Sequence, residues 1–122
     1  MSFDWSHYLV IAQEMFGEAA DTAHEDANLR CSISRAYYAA FHQARHKLSD
    51  KWNISVSHSA VAHAQAQNSF KQKDEKVIAN KLKRMRDARN KADYDDQIVN
   101  LKKTAQDTLK LAKEVINALE KL

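Results

Sequence analysis

A chain of 122 residues with no proline and a single glycine has few ways to stop a helix. Proline breaks the helical hydrogen-bond ladder and glycine weakens it, and the two also shape most tight turns. Their scarcity predicts helices joined by short polar connections. Many of the apolar residues are alanines, which favour helix and let neighbouring backbones approach closely. The spacing of the rest supports the same reading. Trp5, Tyr8, Leu9, Ala12, Met15, Phe16 and Ala19 recur every three or four positions and make one apolar stripe, with Asp4 as its N-cap.

The first helix is expected to run to about His24, with Asp26-Ala27-Asn28 as a turn. A second helix then covers 29–50, with Leu29, Ile33, Tyr37, Phe41, Ala44 and Leu48 on its core face and Ala36 and Ala40 beside them. Residues 51–56 read as a connecting loop whose Trp52, Ile54 and Val56 are buried anchors. Ser57 or Ser59 is a candidate cap for a short helix reaching about Phe70, and Asp74 for a fourth helix holding Val77, Ile78, Leu82, Met85 and Ala88. That helix is expected to end near Lys91 or Ala92. Asp95 or Asp96 then opens a last helix with Ile98, Leu101, Ala105, Leu109, Ala112, Ile116 and Leu119. The sum is one all-α domain over 1–122, an antiparallel bundle of four main helices plus a short one.

Several function classes fall away. No apolar stretch approaches the roughly 20 residues that cross a membrane, and the N-terminus lacks a basic start with an apolar core, so a cytoplasmic protein is expected. The single Cys31 has no partner for an internal disulfide and reads as a small packing residue. His42 and His46 are one helical turn apart but have no local carboxylate or cysteine, so neither a metal site nor a cofactor is expected. The charge is polarised: residues 1–28 hold six acids and no Lys or Arg, whereas 71–91 hold nine bases against three acids. Such asymmetry orients a protein toward a polyanion or an oppositely charged partner.

Two segments carry the chemistry. Arg89-Asn90-Lys91-Ala92-Asp93-Tyr94 follows a basic patch of Lys81, Lys83, Arg84 and Arg86, at the point where the fourth helix is expected to end. An arginine there grips phosphate bidentately while Asn90 positions a neighbouring oxygen, but arginine and asparagine are equally at home as helix terminators. Asp93 either pairs with Arg89 or Lys91 or caps the turn. Tyr94 is expected to anchor its ring in the protein. In the second helix, Arg35, Tyr37, Tyr38 and His42 put aromatics beside polar groups: Tyr37 belongs to the core stripe, and Tyr38 is placed to line an interface or pocket. Metal-free RNA cleavage needs a base, an acid and a cation for the developing phosphate charge. Arg89 supplies the cation, and no base stands beside it in sequence. Phosphate recognition therefore follows more readily than catalysis.

At these two segments the chain resembles the HEPN-domain family, most of all its compact single-domain members. Ser34-Arg-Ala-Tyr-Tyr-Ala-Ala-Phe-His42 is similar to the family's second-helix signature, and Arg89-Asn-Lys-Ala-Asp-Tyr94 to its Arg-Asn-x-Ala-Asp-Tyr segment. The resemblance implies a two-fold dimer that joins the arginine motifs in a basic cleft. It also implies an RNA or nucleotide ligand, a toxin–antitoxin or defence setting, and an antitoxin or small nucleotidyltransferase as partner. Many members are metal-independent ribonucleases whose arginine is followed, four to six residues on, by histidine. Here Tyr94, Asp95 and Asp96 occupy those places. The resemblance thus implies an RNA- or nucleotide-binding protein without the family's histidine. A divergent endoribonuclease and a noncatalytic partner-binding protein are the alternatives.

Overall fold

The computed structural model describes residues 3–19 and 24–122. Five helices follow one another: α1 (Ser6–Ala19), α2 (Glu25–Trp52), α3 (Ala62–Gln72), α4 (Lys76–Tyr94) and α5 (Leu101–Glu120), with no strand among the described residues. The long α2 is the axis of the bundle and packs against each of the other four helices. Its core face is the expected one: Ile33, Tyr37, Phe41, Ala44 and Leu48 are buried. Ala36 and Ala40 are buried too, and their small side chains let neighbouring helices lie close. A smaller core of Leu29, Ile33, Ala92 and Ala105 joins α2, α4 and α5 at the opposite end.

A side-chain oxygen starts α1, and left-handed Asn53, Asp74 and Asn100 lie at the junctions that follow α2, follow α3 and precede α5. The Asp4 carboxylate accepts the Ser6 backbone N–H at 3.0 Å and its hydroxyl at 2.6 Å, which starts α1. These bonds hold the Asp4 carboxyl below its ordinary pKa, with the Ser6 hydroxyl the larger cause. Asn53 adopts φ 55° and terminates α2, its N–H donating to Ser49 O while that of Ile54 reaches back to Leu48 O. Asn tolerates this conformation better than most residues. Ser32, buried in α2, donates to Ala12 O at 2.7 Å and ties α2 to α1.

The expected continuation of the first helix toward His24 lies outside the described residues. Several other local expectations are overturned. Asp26-Ala27-Asn28 is not a turn but the first turn of α2, where acids favour the helix N-terminus. Ser57 and Ser59 bond to each other at 2.6 Å instead of capping α3, which begins at Ala62. Asp74 takes φ 60° in the preceding turn, and Glu75 is the N-cap of α4. α5 opens at Leu101, six residues after Asp95, with Asn100 at φ 56° as its N-cap. Val77, expected in the core, is 64 % exposed because its neighbours Ile78 and Ala79 take the buried positions. Cys31 is exposed, not packed.

Candidate functional site

Arg89 does not stand at a helix break. α4 continues five residues past it, because Ala92 is buried and Arg30 of α2 ties down the helix end. The Arg30 guanidinium donates to Ala92 O (2.9 Å), Asp95 O (2.5 Å) and Asp96 O (3.1 Å), taking up carbonyls that the end of α4 leaves unpaired. Arg30→Ala leaves those carbonyls without a protein donor and should cost about 1.5–3 kcal/mol, read as a lower urea midpoint with an unchanged slope.

Within α4, Arg86 and Arg89 are three residues apart and share a face. The Arg89 side chain, only 11 % exposed, lies over two tyrosine rings of α2: its Cζ is 5.4 Å from the centre of Tyr38 and 5.8 Å from that of Tyr37. Cation–π attraction of this kind grows as water is excluded. Its one hydrogen bond among the described residues runs from NH1 to Asp93 Oδ2 at a long 3.4 Å, and its Nε is buried without a partner. The Nε of Arg86 is likewise buried and unpartnered, and Arg86 has no ion pair among the described residues. Both guanidinium charges act on Tyr37 and His63, and among the described residues only Arg89 has a carboxylate, the loosely held Asp93. A partly buried charge without a matched partner is costly, and an incoming anion would relieve that cost.

α3 contributes a residue that the motifs do not contain. His63 hydrogen-bonds through Nδ1 to the Tyr37 hydroxyl and packs against Phe41 with ring centres 4.6 Å apart. Burial, with Arg86 and Arg89 adding to it, pulls the His63 pKa down to about 4. Burial also pushes that of Tyr37 up, so its hydroxyl keeps its proton. His42 stacks on Trp5, the ring centres 3.6 Å apart, and burial with the Arg45 charge lowers its pKa to about 4 as well.

Both imidazoles are uncharged in the folded protein at neutral pH, whereas each titrates near 6.5 when unfolded. Between pH 6.5 and about 4 the unfolded chain binds protons that the native one refuses. Stability is therefore fully present above pH 6.5 and declines as the pH falls through that window. Urea midpoints at pH 7 and pH 5 should show the decline, and His63→Gln should lessen it.

The remaining candidates disperse. Lys81 pairs with Glu114 at 3.5 Å and Lys83 with Asp87 at 3.0 Å, and Arg84 lies with Asp87 and Lys91 on the wall of a separate depression of about 510 Å³. Of the basic patch, only Arg86 joins Arg89. Asn90 is half-buried and makes no hydrogen bond in the cluster. Tyr94, expected as an anchor, is 77 % exposed, since it falls on the outer side of the last turn of α4. Arg35 lies over Tyr8, its Cζ 5.2 Å from the ring, and reaches Asp93 only across a shallow depression. Among the described residues no group of three His, Cys, Asp or Glu side chains is placed to hold a metal, and no helix is long and apolar enough to cross a membrane.

The site is therefore a corner where α2, α3 and α4 meet: Tyr37, Tyr38, His63, Arg86, Arg89 and Asp93. His63 was missed because it lies 26 residues from Tyr37 in sequence, although its spacing of three and seven from the buried Ala66 and Phe70 puts it on the inner face of α3. No curated protein and no solved structure matches the chain. The HEPN domain model, in contrast, matches residues 6–122, essentially all of the bundle that carries this corner, and the chain belongs to the HEPN-domain family.

Proposed function

We propose that the protein binds RNA or a nucleotide, gripping a phosphate at the Arg86–Arg89 corner, and that it does so as a homodimer. The observation that carries the reading is the charge imbalance: two arginines on one face of α4, both with a buried Nε lacking a partner, of which only Arg89 has a carboxylate among the described residues, Asp93 at 3.4 Å. Family membership supports it, since HEPN domains point to nucleotide- or RNA-related roles. A second copy would extend the basic surface, and Tyr94 and Val99, exposed beside this end of α4, are apolar surface for such a contact. A toxin–antitoxin or defence setting, with an antitoxin or nucleotidyltransferase as partner, belongs to the same proposal.

Fluorescence anisotropy with labelled single-stranded RNA tests it. Saturable binding that weakens as salt rises is expected, because each phosphate held releases counterions. No binding at either low or moderate salt would remove the reading.

One observation favours a second reading, a divergent metal-independent endoribonuclease. His63, uncharged near neutral pH, lies across Tyr37 from Arg89. The Tyr37 hydroxyl can meet Nδ1 as donor or acceptor, so Nε2 is free to give or to take a proton. In that reaction the 2′-oxygen of RNA attacks phosphorus, its proton passes to His63, the 5′-oxygen leaves with a proton from water, and the hydroxide so formed takes the proton back from His63. A 2′,3′-cyclic phosphate and a 5′-hydroxyl remain, with Arg89 steadying the phosphorane charge. Metal-free wild-type protein should then yield discrete RNA fragments that His63→Ala and Arg89→Ala do not. Cleavage retained by both variants would assign the activity elsewhere.

A further inference from the structure

One turn along α2 from Tyr38 the aromatic surface continues at His42. The Tyr38 ring centre is 6.1 Å from that of His42, which lies flat on Trp5 at 3.6 Å with 12° between the planes. Trp5 and His42 line an open cleft of about 630 Å³, together with Arg45, His46, Ile54 and His58. Among the described residues no carboxylate lines this cleft, whereas four other depressions of the surface each carry at least one. Arg45 donates to the carbonyls of Val56 (2.8 Å) and Ser57 (3.0 Å), which fixes its guanidinium but leaves its charge without a carboxylate among the described residues. The cleft is thus lined by two stacked rings and a held cation, with no carboxylate in its wall among the described residues. Its volume falls in the range of small-molecule sites.

From these observations we infer that the Trp5–His42 cleft is a base-binding subsite: it holds a nucleobase of the same RNA whose phosphate sits at Arg86 and Arg89. The inference rests on the phosphate-binding reading and adds a second point of contact along the ligand. A nucleotide uses both features of the cleft, its base against the rings and its phosphate toward Arg45. An acidic peptide would use the cation alone. Stacking on aromatic side chains is tolerant of sequence, so the subsite adds affinity for RNA without selecting one base.

The two tryptophans make the test direct. In a Trp52→Phe background, Trp5 is the sole tryptophan. Titration with a short oligoadenylate should quench its emission saturably. An abasic oligomer of the same length and charge should bind without quenching it. Trp5→Ala should weaken oligoadenylate binding roughly 5- to 100-fold while leaving the abasic oligomer's affinity unchanged. Should Trp5→Ala fail to fold, Ser49→Leu, which fills the cleft with an aliphatic side chain from an exposed position of α2, should give the same selective loss by anisotropy. Wild-type oligoadenylate affinity in the folded cleft variant overturns the subsite. If Arg86→Ala still weakens both oligomers in that case, the phosphate reading stands alone; if it weakens neither, both readings fail together.

Discussion

Replacing Arg89 with alanine is expected to weaken RNA binding by roughly 10- to 100-fold, the loss of a charge-assisted contact to phosphate. The effect should be nearly the same for every RNA sequence, because a phosphate carries no base information. It should also lower the steepness of the salt dependence by about one counterion. Arg89 has a structural share as well: its guanidinium lies over Tyr37 and Tyr38 and bonds to Asp93. The variant will therefore melt somewhat lower. Thermal melting and anisotropy on the same preparation separate the two roles. A variant that melts lower yet binds RNA as tightly as wild type would make Arg89 a helix-packing residue, and the corner would belong to a structural or partner-binding protein. Asp93→Asn should move affinity the other way, upward, because it removes the Asp93 carboxylate that competes for the guanidinium.

Phe70→Ala should produce the largest loss of stability, about 3–5 kcal/mol for a fully buried phenylalanine, measured from urea unfolding. Phe70 has no exposure and meets the edge of Trp52 with ring centres 6.1 Å apart. With Ala62 and Ala66 it forms the buried stripe of α3. That helix is short, and isolated helices of such length are marginal in water; its stripe is what keeps it on the bundle. The consequence reaches the site, since α3 carries His63 to Tyr37. Even under conditions where the Phe70→Ala protein remains folded, the His63 resonances should move toward those of an unburied histidine. A loss below about 1 kcal/mol would mean that α3 is held by something other than this stripe.

The contrast between Phe70 and Arg89 shows what was legible in the sequence. The core face of α2 could be read directly, because a three- and four-residue rhythm of Leu29, Ile33, Tyr37, Phe41, Ala44 and Leu48 has one physical meaning in a chain without breakers. Helix ends were less legible. α4 runs past Arg89 to Tyr94 because Arg30, some 60 residues earlier, accepts the task of capping it, and no local signal announces a cap brought by another helix. The same holds for α2, where Asp26 reads as turn-forming by composition but lies in a first helical turn.

The site followed the same division. Arg89, Asp93, Tyr37 and Tyr38 were visible as motif residues and do come together. The basic run around them was misleading, because successive positions on a helix face different directions: Lys81 and Lys83 are spent on Glu114 and Asp87, and only Arg86 turns toward Arg89's neighbours. His63 and the Trp5–His42 stack depend on contacts between helices. They became apparent only once α1 and α3 were placed against α2.

Arg86 and Arg89 are proposed to form one anion-binding corner. The most direct measurement is an NMR titration of protein carrying ¹⁵N-labelled arginine with a mononucleotide, following the Nε–H signals. Both buried Nε–H groups should shift together and saturably, with the same apparent Kd as His63, while those of Arg30, already engaged with the α4 carbonyls, stay in place. Saturable binding that shifts other arginines and leaves Arg86 and Arg89 unmoved would contradict the account.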